Sequence, residues 1–397
     1  MTARQPAGPG EVPAAAPADA APADVAPADA GHGQEAAPAD AGHGQETGLA
    51  LMVLSPGDVQ LVPRAAATAG QGQLVVEPDL VGVCGTDLEI IDGTIDPAYI
   101  RYPLALGHEW TGIVSGDSPL AGRRVVVEGI IGCGHCGRCA AGETNLCETY
   151  DEIGFTRDGA AASQIVVPAA VAHPLAPDVA AEDAVLTEPA AVVYRALTKA
   201  GVRPGCRALV IGDGTIALLA AMLLGLWSPA EVAMLGRRAD QAGLAEAAGA
   251  TSFSVTDPED AGPGAAGSPL AGSAAVGSLA EFDLVVEAAG TTSAVQAAVA
   301  RVRRGGTVLL LGLPPHGHTV DLAADDIVNN DVSILGSFSY TSAAWRSVVV
   351  LLNAGRLRPG ILITHRYSLA DWARAIAALR GAPGPRGKVL IQIRPTN

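Results

Sequence analysis

A short apolar segment, Ala208-Leu-Val-Ile211, runs directly into the glycine-rich segment Gly212-Asp-Gly214-Thr-Ile-Ala217, and a further apolar stretch follows. The first segment predicts a buried strand and the last predicts a helix. Gly212, Gly214 and Ala217 fit a G-x-G-x-x-G/A pattern, in which glycine permits a tight turn and close approach to a pyrophosphate. Because helix N-terminal amides attract anions, this strand–turn–helix context predicts a dinucleotide-binding site.

Strand–helix alternation extends on both sides of this motif, from about residue 191 to 336. Three more apolar segments have the length of buried parallel strands, namely Glu231–Leu235, Asp283–Glu287 and Gly306–Gly312. Repeated βαβ units predict a doubly wound parallel sheet, and so a Rossmann domain over residues 191–336. Residues 258–280 are rich in Gly, Ala, Ser and Pro, and we expect a long loop there.

The segment Gly236-Arg237-Arg238 follows the predicted second strand, at the position that determines selectivity between NAD and NADP. NAD-binding chains carry an acidic residue at the end of this second strand, where it binds the ribose 2′-hydroxyl. Here glycine leaves room and two guanidinium groups attract a 2′-phosphate. We expect NADP to be preferred, with NAD possible because the arginines can also form a solvated face.

Short strands separated by turn residues dominate residues 49–190. Examples are Leu74–Pro78, Gly112–Ser115 and Arg124–Glu128. This pattern predicts a β-rich, barrel-like domain. Residues 337–397 contain two apolar helical segments, Tyr340–Asn353 and Leu369–Leu379, and a final strand expected to return to the first domain.

Four cysteines lie close together in a glycine-rich stretch at about residues 130–150. Cys133, Cys136, Cys139 and Cys147 form a C-x2-C-x2-C-x7-C array. Thiolates at this spacing can close a tetrahedral cage around a structural zinc ion. In a chain without a secretory leader they favour a metal site over disulfides.

A second, mixed set of metal ligands predicts a catalytic zinc. Cys84 offers a thiolate, His108 an imidazole and Glu109 a carboxylate, which together balance a dication. Three protein ligands leave a fourth position open to exchange. Glu188, in the pair Glu188-Pro189, is a candidate fourth ligand that exchanges with water or substrate.

A dinucleotide site beside an open zinc predicts hydride transfer between a carbon bearing oxygen and a nicotinamide. Thr86 lies two residues after Cys84, and its hydroxyl can pass the substrate proton outward. Asp87 is a candidate partner for the free ring nitrogen of His108, where it would fix the imidazole tautomer. The partner expected from this chemistry is a small-molecule alcohol or ketone.

The chain has 397 residues and a formal charge of -16, which argues against nucleic acid as a partner. Residues 1–48 repeat Ala-Pro-Ala-Asp units with seven acidic residues and one basic residue, and predict a disordered tail. Neither a signal peptide nor an apolar run long enough to cross a bilayer is present, so we expect no membrane association and a cytoplasmic location.

Taken together, these motifs resemble the zinc-containing medium-chain alcohol dehydrogenase family, from about residue 49 onward. The resemblance rests on Cys84-Gly-Thr86-Asp87, Gly107-His108-Glu109, the four-cysteine array, Glu188-Pro189 and the glycine pattern at Gly212, all in family order. It implies a GroES-like catalytic domain split around a Rossmann domain, and a homodimer or homotetramer.

Within that family, Glu109 directly after His108 resembles the sorbitol, threonine and glucose dehydrogenase branch. The stretches Gly107–Gly112 and Cys147–Gly159 look most similar to cyclitol and aminocyclitol dehydrogenases of antibiotic pathways, such as 2-deoxy-scyllo-inosamine dehydrogenases. The chain departs from the threonine and sorbitol types by carrying Glu89 where they often carry histidine. A threonine- or glucose-type dehydrogenase, and a non-catalytic nucleotide-binding sensor, are the alternatives.

Overall fold

The structure, a computed structural model, describes residues 46–255 and 282–395. The predicted tail up to residue 45 and the predicted loop at 258–280 lie outside the described residues. The strands in the described part of the chain are β1 (Glu46–Ser55), β2 (Asp58–Ala65), β3 (Gln73–Val83), β4 (Leu104–Ala105), β5 (Glu109–Ser115), β6 (Arg124–Val127), β7 (Ile165–Pro168), β8 (Ala172–Pro174), β9 (Arg207–Ile211), β10 (Glu231–Gly236), β11 (Ser252–Val255), β12 (Phe282–Glu287), β13 (Val302–Leu310), β14 (Ser333–Gly336), β15 (Ile363–Ser368) and β16 (Lys388–Gln392). The α-helices there are α1 (Gly85–Asp92), α2 (Gly137–Ala140), α3 (Ala181–Ala184), α4 (Thr187–Lys199), α5 (Thr215–Leu224), α6 (Ala242–Ala247), α7 (Thr292–Arg301), α8 (Ala324–Val328), α9 (Ser342–Asn353) and α10 (Trp372–Gly381).

A six-stranded parallel sheet is built around the strand that precedes the glycine motif. Its strand order is β11-β10-β9-β12-β13-β14, with β9 flanked by β10 and β12. This is the 3-2-1-4-5-6 order of a dinucleotide-binding sheet, whose crevice opens at the carboxyl ends of the central strands. Ala208 and Val210 of β9 are fully buried, as expected for a strand covered on both faces.

The β-rich part of the chain forms two mostly antiparallel sheets. One has the order β2-β1-β4, and the other has the order β15-β16-β3-β5-β6-β8, with β7 also paired to β3. Strand β16 joins this sheet from the distant end of the sequence, placing Val389 opposite Val83. The GroES-like and Rossmann fold class predicted from the sequence is confirmed.

Two elements of the structure span predicted domain limits. Strand β1 begins at Glu46 inside the predicted tail, because backbone pairing with β2 supplies hydrogen bonds that composition does not reveal. The predicted domain boundary between residues 190 and 191 falls inside helix α4. Pro189 does not interrupt this helix, because it lies in the first turn, where the missing N–H has no intrahelical acceptor.

Helices α9 and α10 both start later than predicted. Thr341 caps α9 by accepting a hydrogen bond at its hydroxyl from the Ala344 N–H at 3.3 Å, so Tyr340 stays outside the helix. Residues Leu369–Asp371 form a short 3-10 turn ahead of α10. Among the described residues, no helix is long and apolar enough to cross a membrane.

Candidate active site and metal centres

The four cysteines of the predicted structural site converge in one loop. Their sulfur atoms all lie within 4.8 Å of one another, and the Cys133–Cys139 and Cys136–Cys147 sulfur pairs are each 4.0 Å apart. Tetrahedral Zn–S bonds require sulfur atoms about 3.8 Å apart, so this set fits zinc closely. All six cysteines of the chain are described, and none forms a disulfide.

Local backbone geometry favours the thiolate form of Cys136 within this centre. Cys136 is the N-cap of α2, and its sulfur accepts the Cys139 N–H at 3.4 Å. Backbone N–H groups of Glu148 and Cys139 lower the pKa of Cys136 to about 6. Four sulfurs at these distances repel one another once ionised, and a bound dication removes that repulsion.

Cys84, His108 and Glu109 form the second group, with one ligand atom from each within 4.8 Å of the others. Cys84 directly follows β3 and is the N-cap of α1, while His108 immediately precedes β5. Gly107, at φ +103°, makes the turn before His108. Only glycine fits at this position, because a Cβ atom there would lie 2.8 Å from the Ala161 nitrogen. One thiolate, one imidazole and one carboxylate match the donor set of an open zinc site.

Asp87 and Thr86 extend from the first turn of α1 towards this group. The buried Asp87 Oδ1 lies 3.4 Å from His108 Nδ1, and Asp87 Oδ2 accepts the Cys84 N–H at 2.8 Å. Burial disfavours the charged imidazolium and so lowers the pKa of His108. The Asp87 carboxylate has a larger opposite effect, and the pKa of His108 is raised overall. A proton held on Nδ1 leaves Nε2 for a metal. The Thr86 hydroxyl oxygen lies 3.8 Å from the Cys84 sulfur.

Lys388 is a charged member of the site that the sequence analysis missed. Its ammonium group forms an ion pair with Glu109 and donates to the Val83 carbonyl oxygen at 3.3 Å. Gly82 makes room for the Glu109 carboxylate, which a Cβ atom at residue 82 would overlap. Burial lowers the pKa of Lys388, yet Glu109 and Cys84 raise it overall, so the lysine stays charged.

Glu188 lies near this group without belonging to it. The 4.8 Å set contains only Cys84, His108 and Glu109 among the described residues, so Glu188 must move to become a ligand. Burial, followed by the charge of Glu109, raises the pKa of Glu188 to about 8. Glu152 is a second buried carboxyl group that interacts electrostatically with His108. Burial raises the pKa of Glu152 to about 7, although the charge of His108 lowers it.

One cavity of about 340 Å³ joins the glycine motif to the mixed-ligand group. Gly212, Gly214 and Thr215 line one end, and Cys84 and Glu109 line the other. A Cβ atom at Gly212 would lie 2.9 Å from the Ala288 backbone, so only glycine fits at φ +128°. Ala217 does not line this cavity and is fully buried in α5, where its small side chain permits close helix–sheet packing.

The end of β10 carries an ion pair that the sequence analysis did not anticipate. Asp213, inside the glycine motif, accepts hydrogen bonds from Arg238 Nη2 at 2.9 Å and from the Arg237 N–H at 3.0 Å. Arg238 is therefore partly neutralised, whereas the Arg237 side chain is exposed. Gly236 is buried against Asp213 and Phe253, where a Cβ atom would lie 2.8 Å from Asp213 Cβ.

Three aromatic side chains differ in their position relative to this site. Trp110 is buried within the β-rich core at 2 % exposure, because β5 turns it away from the cavity. The Phe155 ring packs 5.0 Å from the His108 ring, measured between centroids. Tyr340 is buried, and its hydroxyl oxygen accepts the Gly129 N–H at 2.7 Å.

Comparison with known proteins agrees with this geometry. The family described as "Alcohol dehydrogenase GroES-like domain" matches residues 70–178, and "Glucose dehydrogenase C-terminus" matches residues 181–381. The chain is 29% identical to D-arabinitol dehydrogenase 1 of Uromyces fabae, over 82% of this chain and 92% of that one. It is 32% identical to L-threonine 3-dehydrogenase of Streptomyces coelicolor, over 82% and 93%. A putative zinc-binding dehydrogenase from Sinorhizobium meliloti, bound to NADP, superposes with a TM-score of 0.77 at 28% identity, covering 87% of this chain and 99% of that one.

A Rossmann sheet, a GroES-like domain and two zinc-ligand sets define a zinc-dependent oxidoreductase that uses a nicotinamide dinucleotide. The chain belongs to the zinc-containing medium-chain alcohol dehydrogenase family. The predictions of an enzyme, of zinc and a nicotinamide dinucleotide as its cofactors, and of a small-molecule alcohol as its substrate class are confirmed at this level. The sensor alternative is therefore set aside.

Proposed function

We propose that the chain interconverts a secondary alcohol and a ketone on a cyclitol, aminocyclitol, polyol or sugar, with NADP as the preferred cofactor. The observation that carries this proposal is the single cavity joining the glycine motif to Cys84 and Glu109. A cofactor held at one end can present its nicotinamide to a substrate oxygen at the other. The relative that acts on D-arabinitol supports a polyol.

The catalytic roles follow from the chemistry of each side chain. When bound, the catalytic zinc supplies a Lewis acid that lowers the pKa of a coordinated alcohol. Cys84, His108 and Glu109 hold it, and Asp87 keeps the imidazole in the tautomer that binds metal. Thr86 would pass the substrate proton outward, and Glu188 would serve as the fourth ligand in the absence of bound water or substrate.

A separate structural role falls to the second zinc. Cys133, Cys136, Cys139 and Cys147 offer four thiolates and no open position, so this ion stabilises its loop without taking part in the reaction.

The cofactor roles divide along the cavity. Gly212 and Gly214 let the pyrophosphate approach the start of α5, whose first N–H groups have no intrahelical acceptor, and Ala217 packs the helix closely against the sheet. Gly236 leaves space for a 2′-phosphate, and Arg237 and Arg238 attract it. The NADP-bound relative supports this choice, while the Asp213 carboxylate beside Arg238 offsets part of the attraction and keeps NAD usable.

The remaining predictions accompany this function as proposals. These are a homodimer or homotetramer, a cytoplasmic location, and the domain limits at residues 49, 190 and 336. An L-threonine dehydrogenase is the second candidate function, because a relative with that name is 32% identical. Glu89 on α1 stands where both the threonine and the sorbitol types often carry histidine, so this position weakens L-threonine and sorbitol alike as substrates.

A substrate screen tests the proposal directly. Zinc-replete protein is mixed with NADP or NAD and with inositols, aminocyclitols, polyols, aldoses or L-threonine, and absorbance of the reduced cofactor is followed. We expect turnover of a cyclic or linear polyol with NADP, and none by His108→Ala. Turnover of L-threonine alone would reject the polyol proposal and favour an L-threonine dehydrogenase.

A further inference from the structure

Arg386 is a half-buried arginine in the segment between α10 and β16, and no role above uses it. It lines the cofactor cavity together with Arg237 and Arg238, which lie at the end of β10. Its guanidinium group forms no hydrogen bond and no ion pair within residues 46–255 and 282–395. The cavity therefore contains a cation that the folded chain leaves available to a ligand.

The backbone of Arg386 is fixed to the glycine motif by one buried side chain. Gln241 is 0% exposed; its Oε1 accepts the Arg386 N–H at 2.7 Å, and its Nε2 donates to the Arg386 carbonyl oxygen at 3.0 Å. The same Nε2 donates to the carbonyl oxygen of Asp213, which lies between the two glycines of the motif. Because these hydrogen bonds use only backbone atoms of Arg386, a substitution of its side chain should leave them intact.

The residue after Arg386 holds the segment from the other side. A Cβ atom at Gly387 would overlap the Leu362 carbonyl oxygen, so glycine permits the close approach of these two backbones. The Gly387 N–H donates to Thr364 Oγ1 at 3.1 Å. A binding residue whose backbone is anchored in this way loses less conformational entropy when it binds a ligand than one on a free loop.

The charges near Arg386 favour an anion as that ligand. Asp213 is already engaged by Arg238, whose Nη2 lies 2.9 Å from Asp213 Oδ1 and 3.5 Å from the Arg386 carbonyl oxygen. Burial, followed by the charge of Arg238, lowers the pKa of Arg386, while the charges of Asp213 and Asp240 oppose this effect. A guanidinium group stays charged in proteins, so two of them at short range repel each other. An anion bound between Arg386 and Arg238 would offset that repulsion.

The position of Arg386 favours the 2′-phosphate of the cofactor over its pyrophosphate. In a dinucleotide-binding sheet the pyrophosphate lies at the start of the helix after the first strand, which is α5 here. The adenosine ribose lies at the end of the second strand, which is β10 here. The residues in contact with the Arg386 backbone on this side, Arg238 and Gln241, both follow β10. The guanidinium group is thus placed at the ribose end of the cavity.

We propose that Arg386 is a specificity-determining residue for the cofactor, whose guanidinium group binds the 2′-phosphate of NADP together with Arg237 and Arg238. The ligand class is a 2′-phosphorylated adenosine. The phosphate then contacts both the end of β10 and the C-terminal segment that continues into β16. This inference rests on the proposed preference for NADP, and it adds a residue from outside the sequence range predicted for the Rossmann domain.

Four nucleotides separate the possible contacts of Arg386. NADPH and adenosine 2′,5′-bisphosphate carry the 2′-phosphate, NADH and adenosine 5′-monophosphate lack it, and only the two dinucleotides carry the pyrophosphate. Dissociation constants are measured by calorimetric titration for the zinc-replete wild type, Arg386→Met and Arg356→Met. Methionine retains an unbranched side chain and removes the charge. Arg356 is exposed and does not line the cavity, so its variant controls for the loss of one positive charge.

We expect Arg386→Met to weaken the binding of NADPH and of adenosine 2′,5′-bisphosphate about tenfold, because a charge-assisted hydrogen bond is lost. Binding of NADH and of adenosine 5′-monophosphate should change less than about twofold, and Arg356→Met should match the wild type, because distant exposed charges are screened. Equal weakening of NADPH and NADH would place the guanidinium group at the pyrophosphate and overturn the inference. Unchanged binding of all four nucleotides would overturn it as well.

The two levels of proposal fail differently, and neither readout depends on the alcohol substrate. A wild type that binds NADH as tightly as NADPH rejects the NADP preference. Weaker binding of adenosine 2′,5′-bisphosphate by Arg386→Met would still support the contact, and unchanged binding would reject it. A wild type that binds neither 2′-phosphorylated nucleotide rejects both proposals.

A second variant covers the case in which Arg386→Met does not fold. Arg386→Lys keeps the positive charge but lacks the planar pair of N–H donors that matches a phosphate. It should weaken NADPH binding severalfold and leave NADH binding unchanged. An unchanged ratio of the two dissociation constants in this variant rejects the role of Arg386.

Discussion

The ammonium group of Lys388 is buried against the carboxylate of Glu109, with 3% and 2% of the two side chains exposed. The pair places a fixed positive charge behind a predicted metal ligand. Glu109 can therefore carry its charge whether or not a metal is bound. Removing one partner of a buried ion pair leaves the other charge uncompensated.

Replacing Lys388 with methionine should destabilise the metal-free protein by about 3 kcal/mol. Urea unfolding of chelator-treated protein measures this loss. Added zinc should restore part of it, because a bound dication neutralises Glu109 in place of the lysine. The control is Arg380→Gln, which breaks a pair with Asp92 whose side chains are 46% and 42% exposed and should cost less than about 0.5 kcal/mol. A Lys388 variant as stable as this control would show that the ion pair has no structural role.

Asp87→Asn tests the partner of the imidazole. Asparagine can still accept the Cys84 N–H but cannot hold a proton on His108 Nδ1 by charge. Zinc affinity at the mixed-ligand group should fall about 10- to 100-fold, measured by competition with a chromophoric chelator. Binding at the four-cysteine site provides an internal reference that should not change. An unaltered affinity at both sites would remove Asp87 from the proposed mechanism.

Cys136→Ser tests the division between the two metal sites. We expect the variant to lose about one of two zinc ions per chain and to unfold at lower temperature, because metal binding there contributes to folding. Metal analysis and thermal scans provide the measurement. Cys206→Ser is the matched control, since Cys206 is buried outside both ligand groups and should keep both ions. A Cys136 variant with normal stability but no turnover would contradict the assignment.

Arg237→Ala should weaken NADPH binding about tenfold and NADH binding less than twofold, because only NADPH carries the 2′-phosphate. Quenching of tryptophan fluorescence reports both dissociation constants. Arg203→Ala, which removes an exposed arginine outside the cofactor cavity, is the control. Equal effects on the two cofactors would defeat the proposed NADP preference.

Asp213→Asn should shift selectivity in the opposite direction. The amide oxygen can still accept the Arg237 N–H, while Arg238 loses its ion-pair partner and becomes available to a phosphate. We expect the ratio of NADPH to NADH affinity to rise severalfold in the same fluorescence assay. A fall in that ratio would mean that Asp213 positions Arg238 for the cofactor.

The features that sequence alone predicted are those encoded over short distances. Local spacing alone defines two patterns, the cysteine array from Cys133 to Cys147 and the glycine motif from Gly212 to Ala217. These two patterns were sufficient to predict the four-thiolate site and the Rossmann sheet. Cys84 and His108 lie 24 positions apart, and the ligand chemistry of their side chains rather than local spacing linked them.

The contacts that sequence did not predict depend on strand register. Lys388 reaches Glu109 only because β16 lies antiparallel to β3, with Val389 opposite Val83. Asp213 meets Arg238 because β9 and β10 are parallel neighbours that end at the same edge. Glu152 follows the last zinc cysteine without any motif of its own, and only its burial beside His108 distinguishes it from an ordinary loop acid.

Strand β16 also sets the order in which a nascent chain can complete its active site. The ribosome releases β3, Cys84, His108 and Glu109 well before the Rossmann strands, and Lys388 emerges after all of them. Until then β3 lacks its antiparallel neighbour β16 and Glu109 lacks its cation. Translation that stops within the Rossmann segment therefore yields a chain with every predicted metal ligand but an open sheet edge, a state that chaperones or proteases can recognise.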